Sequence, residues 1–430
     1  MNTIQNKKIL LVDDCELIRN TSRIMILNIG FLAENIFMCS SANRALSLCK
    51  AHIFDVIIID QNLGNGASGL ELLQALHLQE LRAHDTIVIV ATADNSMNVV
   101  QGFSSYNPNA YIIKPLRMDT LSSSIQSNLN LQKLSKNAIH AYQEAGLNGF
   151  MTALKSTSSP KKAMYVIEQF AHFNQAPQEH RLIVLQAFFK SHPTTKLGLI
   201  YAFLLLQNGK ISQSESILHT LVQRTDCRPV DYYPLKLALL TAKGDLSASK
   251  ELTNSILSER NDDPSAISSL LWTSFIVPDL LCSDLLHRLR QHLSKNLWID
   301  DEHKLLLCAQ LAKNGCSNPK ATWNSIPLPT NNRFSNTYEM LFTAWCECKL
   351  GNNISHPINT LISSPLFEHS SLANLFLLDV LEQSVNDTEL NKVYDRINHI
   401  GEKILCFLKR SVVTRATAKQ SKTQQSIQLA

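Results

Sequence analysis

The sequence predicts an α/β doubly wound five-stranded parallel sheet in its first third, followed by an all-α helical-repeat solenoid. Three observations carry this expectation. Short β-branched apolar runs without alternation, such as VIIID at residues 56–60, each lead into a stretch of helical period, as doubly buried strands and their crossover helices do. Polar residues gather where those runs end. Beyond about residue 118 the apolar period turns helical and stays so, punctuated by glycines and prolines about 35 positions apart.

Residues 8–12 (KILLV) form the first strand and end in Asp13 and Asp14. Residues 15–30 show helical periodicity through Leu17, Ile18, Ile24, Met25 and Leu27, with Gly30 as the stop. A weak strand at 36–39 and a helix at 42–51 come next. The strand from residue 56 ends in Asp60, a glycine-rich loop follows, and a helix begins behind the N-cap Ser68, running through Leu70, Leu72, Leu73 and Leu76. Residues 86–91 (TIVIVA) make the third strong strand, which delivers Thr92. A helix at 96–105 is weakened by Gly102, and the last strand, 110–113, delivers Lys114 and Pro115. Five repetitions of strand then helix argue for right-handed crossovers in one sheet.

A chain of 430 residues with 45% apolar content has material for two to four domains with real cores. There is no charged stretch followed by a long apolar one at the N-terminus, and the longest apolar run, residues 199–206, is far short of the roughly 18 residues a spanning helix needs. Ten cysteines without a CxxC pair favour reduced thiols and a cytoplasmic location, with Cys346 and Cys348 as core filler. A formal net charge of +4 is too mild to announce a nucleic-acid binder.

Asp13, Asp14, Asp60, Thr92 and Lys114 come from four strands yet fall at one edge of the expected sheet. Two carboxylates at about 4 Å repel by roughly 4 kcal/mol at an effective dielectric near 20, so three ionised together call for a cation or a raised pKa. Oxygen-only ligands with open positions suit Mg²⁺. Taken singly, an aspartate after a strand is more often a helix cap, and Tyr111 is more often core. Their joint occurrence at matching strand ends is what points to chemistry.

From residue 7 to about 130 the chain resembles the receiver domain of two-component response regulators. The match lies in the acidic pair Asp13 and Asp14, the acceptor Asp60, Thr92 followed by the small Ala93, the Lys114–Pro115 pair, and the aromatic Tyr111 three residues before the lysine. The resemblance implies strand order 2-1-3-4-5 and a phosphoryl group transferred to Asp60 from a sensor histidine kinase. It implies that Asp14, Asp60 and the backbone carbonyl of Asn62 hold Mg²⁺, with Asp13 helping through water. Thr92 and Lys114 would bind phosphoryl oxygens, and Tyr111 would change rotamer with Thr92. It implies a regulatory phosphoacceptor whose only reactions are its own phosphorylation and dephosphorylation. Two departures stand out: Gly64 where many receivers have proline, and a segment 102–109 without the usual glycine–alanine turn.

The expected divisions are a receiver at 1–130, a helical connector at 131–160, a helical-repeat domain at 161–408 and a basic, disordered tail at 409–430. Residues 155–162 (KSTSSPKK) break the helical pattern. Gly209 and Gly244 lie 35 positions apart, as do Pro229 and Pro264, and under the same shift Leu205 matches Leu240, Ile211 matches Leu246 and Leu221 matches Ile256. This unit of helix, glycine turn, helix, proline resembles tetratricopeptide repeats, with Leu197, Gly198 and Tyr201 echoing part of their signature. No metalloprotease, P-loop or dinucleotide motif occurs. Glu168 and His172 share a helical face and read as a surface pair; Trp272, Trp298, Trp323 and Trp345 read as core.

The leading expectation is a response regulator whose repeats bind a protein or peptide, modulating a kinase-to-regulator relay by inhibition, as in VieB-like auxiliary regulators. The partners are then the kinase or another response regulator, with no membrane or nucleic acid. The alternatives are a DNA- or RNA-binding regulator using the basic tail, and a phosphate sink.

Overall fold

The computed structural model of the protein describes residues 4–93, 102–103, 106–259, 263–277, 280–281, 286–287, 289–290, 296–313, 316–328, 333–352, 358–384 and 393. The expected helix at 96–105 falls largely outside these residues, and the basic tail does so entirely. The chain divides into two compact units, Met1–Tyr201 and Ala202–Ala430.

The first unit opens with a five-stranded sheet of order β2-β1-β3-β4-β5, every neighbouring pair parallel. Its strands are β1 (Ile9–Val12), β2 (Ile36–Cys39), β3 (Val56–Asp60), β4 (Ile87–Thr92) and β5 (Ala110–Ile113). Every residue of β1, β3 and β4 is buried. That is why their sequences run apolar without alternation, while the edge strands β2 and β5 are only partly covered. Val12 pairs with Ile59, Asp60 with Ala91 and Thr92 with Ile113. This register brings the ends of four strands to one lip, and the chemistry sits there.

Helix α1 (Glu16–Ile29) ends in Gly30 at φ 113°, whose N–H caps the carbonyls of Ile26 and Leu27. Its buried face differs from the one the apolar pattern predicts. Ser22, Ile26 and Ile29 pack inward, whereas Leu17 and Ile24 are 76% and 60% exposed. Five apolar residues in two turns span more of the circumference than one core can cover. Helix α2 (Ala42–Ala51) starts at Ser41, and α3 (Gly69–Leu78) starts at Ser68, which forms a capping box with Glu71. Between β4 and β5, Phe103 and Tyr106 are buried, and Asn109 extends the sheet by accepting from the Val88 amide at 2.8 Å.

Helix α4 (Met118–Lys155) is 38 residues long with non-helical angles at Ala145 and Gly146. Leu121 and Ile125 enter the core beneath the sheet. One helix therefore serves both as the last receiver helix and as the connector, and the polar break at 155–162 is the turn into α5 (Pro160–Ala171). The α3–β4 loop leans on these helices. Gln132 donates to the Asp85 carbonyl, Lys136 lies 3.3 Å from the Asp85 carboxylate, and the rings of His84 and His172 stack at 4.1 Å. Phe150 stacks on Phe170 at 4.0 Å. Helices α6 (Gln178–Ser191) and α7 (Thr195–Gln207) follow, the division between units falling within α7.

The second unit is helical throughout its described residues: α8 (Ile211–Val222), α9 (Pro229–Lys243), α10 (Leu246–Glu259), α11 (Pro264–Ile276), α12 (Asp301–Leu311), α13 (Pro319–Asn324), α14 (Ser335–Lys349), α15 (Ile358–Ile362), α16 (Leu366–His369) and α17 (Ser371–Ser384). The shift of 35 is physical here. Helix starts Ile211 and Leu246 repeat it, as do Pro229 and Pro264, and each turn is a glycine of positive φ, Gly209 at 70° and Gly244 at 73°. Ser214 and Ser249, one shift apart, are both 0% exposed, and so nearly are Leu221 and Ile256. Trp298, Trp323 and Trp345 are buried, the last two packing with Phe342. Cys346 and Cys348 are buried free thiols, and burial pushes the Cys346 thiol up to about 12.

Candidate functional site

Asp13 and Asp60 stand immediately beyond Val12 and Ile59, paired neighbours on β1 and β3, so their carboxylates are forced together at the lip. One oxygen from each of Asp13, Asp14 and Asp60 lies within 4.8 Å of the others, and among the described residues this is the one such group of potential metal ligands. Asp13 and Asp60 are only 2% and 5% exposed, whereas Asp14 faces solvent. From the end of β5, Lys114 sends its Nζ to 2.7 Å from Asp13 Oδ2 and 2.7 Å from Asp60 Oδ2.

The electrostatics follow from burial. Desolvation raises the Asp60 carboxyl above its ordinary range, Lys114 pulls it back, and Asp13 raises it further. Burial alone would lower the Lys114 ammonium, but its hydrogen bonds to Asp13 and Asp60 outweigh this and hold it above its usual value. Three carboxylates against one ammonium still leave an excess of negative charge. The donor set is entirely oxygen and open on the Asp14 side, which fits a hard divalent cation such as Mg²⁺.

The loop after β3 is shaped around these acids. The Asn62 amide donates to Asp60 Oδ1 at 3.4 Å, and the Asn62 side chain accepts from the Gly64 amide at 3.2 Å. Gly64 has φ +68°, and a Cβ there would meet Asp14 Oδ2 at 2.9 Å. The glycine that departs from the receiver pattern is thus required by the path this loop takes past Asp14.

All the sequence-predicted strand-end residues reach this lip. Thr92 is buried, its hydroxyl donating to Gln61 Oε1. Tyr111 is partly exposed on β5, with its ring edge-on to Phe103 at 6.5 Å. Two neighbours escaped sequence reasoning. Arg19, one turn into α1, donates to the carbonyls of Asp13 and Asp14 at 2.7 and 2.8 Å, fixing the acidic loop. Gln61 is the other, and its position right after Asp60 was the only signal.

Two other constellations are structural. Glu168 is buried rather than a surface residue: it is bound by Lys196 at 2.6 Å, while its supposed partner His172 stacks on His84. In the second unit, Asp300 Oδ1 lies 2.7 Å from His303 Nδ1, and His303 Nε2 lies 2.8 Å from Ser268 Oγ. This is the order of an orienting acid, a base and a hydroxyl. Yet Ser268 sits inside α11, where its own amide serves the helix, and Asp300 is the N-cap of α12. The chain of bonds staples two helices.

Residues 9–126 match the response regulator receiver domain family. The chemotaxis protein CheY-3 of Vibrio cholerae is 26% identical over 121 residues, which is 28% of this chain and 90% of that protein. The two-component response regulator ORR21 of Oryza sativa is 30% identical over 137 residues, 31% of this chain and 18% of that protein. Among solved structures, the Vibrio cholerae chemotaxis protein CheY4 shares 25% identity over 28% of this chain and 97% of its own, with a TM-score of 0.26. Residues 9–126 are a response regulator receiver domain, followed by a long all-helical region.

Proposed function

We propose that this chain is a two-component response regulator that takes a phosphoryl group onto Asp60 from a phosphohistidine of a sensor histidine kinase, and whose helical region binds a protein partner. The observation that carries the reading is the double contact of Lys114, 2.7 Å from both Asp13 and Asp60 at the mouth of a three-acid cluster. A nucleophilic carboxylate must be ionised, and Lys114 works against the burial that opposes ionisation without fully cancelling it.

In the transfer, an Asp60 oxygen forms a bond to phosphorus as the phosphorus–nitrogen bond breaks. The imidazole leaves with the bonding pair. Lys114 and, once released from Gln61, the Thr92 hydroxyl would bind the new phosphoryl oxygens, and positioning plus charge stabilisation is most of what such a reaction needs. Asp13, Asp14, Asp60 and the Asn62 carbonyl would hold Mg²⁺, which would supply positive charge between an anionic donor and an anionic acceptor. Thr92 and Tyr111 form the switch.

The helical region is of the tetratricopeptide type in this reading, which rests on the repeated helix starts and glycine turns. Stacked helix pairs share a core and present grooves to peptides. Its partner is the kinase or another response regulator, and the chain acts as an inhibitory modulator of their relay. Full-length protein should take label from radioactive acetyl phosphate with Mg²⁺, and Asp60→Asn should not. Equal labelling of the variant, or none of either, overturns the reading. Capture of kinase or regulator by the two forms tests the partner.

A further inference from the structure

We propose that Gln61 is a positioning residue for the phosphoryl switch: its side-chain carbonyl holds the hydroxyl proton of Thr92 in the resting state and must give it up when Asp60 carries a phosphoryl group. The inference rests on the phosphoacceptor reading and concerns a residue outside the acidic cluster. Thr92 Oγ1 donates to Gln61 Oε1 at 2.5 Å, with the threonine 2% exposed. A hydroxyl carries a single proton, so a phosphoryl oxygen on Asp60 and the Gln61 carbonyl compete for it.

The backbone makes Gln61 a fixed competitor rather than a passing one. Its amide donates to the Ala91 carbonyl at 3.0 Å, and its carbonyl accepts from Gly69, the first residue of α3, at 2.9 Å. Residue 61 is thereby tied to the end of β4 on one side and to the start of α3 on the other. The side chain has only to extend across the gap between neighbouring strand ends to reach the threonine. Thr92 is anchored too, its carbonyl accepting from the Lys114 amide at 2.9 Å. Both partners of the bond hang from backbone that the sheet holds in place, so breaking it is a matter of side-chain rotation. The bond thus stabilises the unphosphorylated arrangement selectively, and a ligand that needs the Thr92 proton binds more weakly by whatever the bond contributes.

The test uses full-length protein and fluoroberyllate with Mg²⁺, a non-transferable mimic of the acyl phosphate, its bound form read by fluorine NMR and its affinity by titration calorimetry. Gln61→Met keeps the length of the side chain and removes the acceptor. It should bind fluoroberyllate about three- to tenfold more tightly than wild type, the range one neutral hydrogen bond supports, with unchanged Mg²⁺ affinity. In a Thr92→Val background, which has no hydroxyl to hold, the same change should have no effect. Gln61→Glu, which keeps an acceptor, should not show the gain. Gln61→Leu replaces Gln61→Met should the latter lose its cooperative melting. Affinity unchanged or weakened by Gln61→Met and Gln61→Leu overturns the proposal, and so does a gain that persists in Thr92→Val. A wild-type chain that binds no fluoroberyllate and takes no label from acetyl phosphate fails one level lower, at the phosphoacceptor reading, and the latch falls with it.

Discussion

Asp60 was legible in the sequence because it ends a doubly buried strand in company with Asp13, Thr92 and Lys114, polar residues that all fall at the ends of neighbouring strands. Arg19 and Gln61 were not, because a polar side chain on a helix or loop has many possible partners and only its reach across elements selects one. Gly64 belongs to both cases: visible as a departure, explicable only by its φ of +68° and the 2.9 Å from its notional Cβ to Asp14 Oδ2. Gly64→Ala should therefore lower stability by about 1–2 kcal/mol through left-handed strain. It should also weaken Mg²⁺ binding by displacing Asp14, which thermal melts and a Mg²⁺ titration would show; unchanged values would mean the loop re-forms at no cost. Glu168 gives a pH prediction. Burial holds its carboxyl above the ordinary range, with Lys196 drawing it partly back. A carboxyl raised in the folded state contributes stability that is present below its unfolded pKa and is lost as pH rises through the folded value. Glu168→Gln should thus melt higher than wild type at pH 8, the gap closing as pH falls towards about 4, the pKa of an unfolded glutamate. A gap that widens on acidification would show that the ion pair with Lys196 outweighs burial.

At the scale of elements, the strands were read within a residue or two because burial on both faces leaves a compositional mark. The inward face of α1 was misjudged because apolar residues ring more of that helix than the core accepts. In the helical region the 35-residue shift was visible in glycines and prolines, whose backbone roles are local. The bonds that fasten one helix to the next were not, since Ser268 and His303 lie 35 positions apart in no recognisable motif. His303→Ala should cost about 2–4 kcal/mol: it removes one buried and one part-buried hydrogen bond, leaves the Ser268 hydroxyl without this partner, and opens a cavity beside Trp298. Denaturant melts of the full chain would register it. A loss below about 0.5 kcal/mol, the level of an ordinary surface substitution, would mean the three-residue chain of bonds contributes little to α11 and α12.

At the scale of the molecule, the question is where the receiver stops. Composition and resemblance put its end near residue 130, but α4 continues unbroken past that point to Ala145, and the α3–β4 loop is fastened to what lies beyond. Gln132, buried, donates to the Asp85 carbonyl; Lys136 meets the Asp85 carboxylate; His84 stacks on His172, and Gln169 donates to the His84 carbonyl at 3.4 Å. These contacts hold the loop that feeds β4, the strand whose far end carries Thr92. The receiver and the first helices that follow it should therefore unfold as one body. A chain cut after residue 130 should lose about 1–3 kcal/mol relative to one cut after Tyr201, because the loop forfeits the part-buried hydrogen bond from Gln132 and its ring contact. For chains of this size that is a fall of several degrees in Tm. Amide exchange locates the cause: protection should drop first at residues 84–88, at the entry to β4, and spread along the strand towards Thr92. Equal melting of the two chains with equal exchange at those amides would make the receiver self-sufficient, and the helices would then be cargo that phosphorylation reaches by another route.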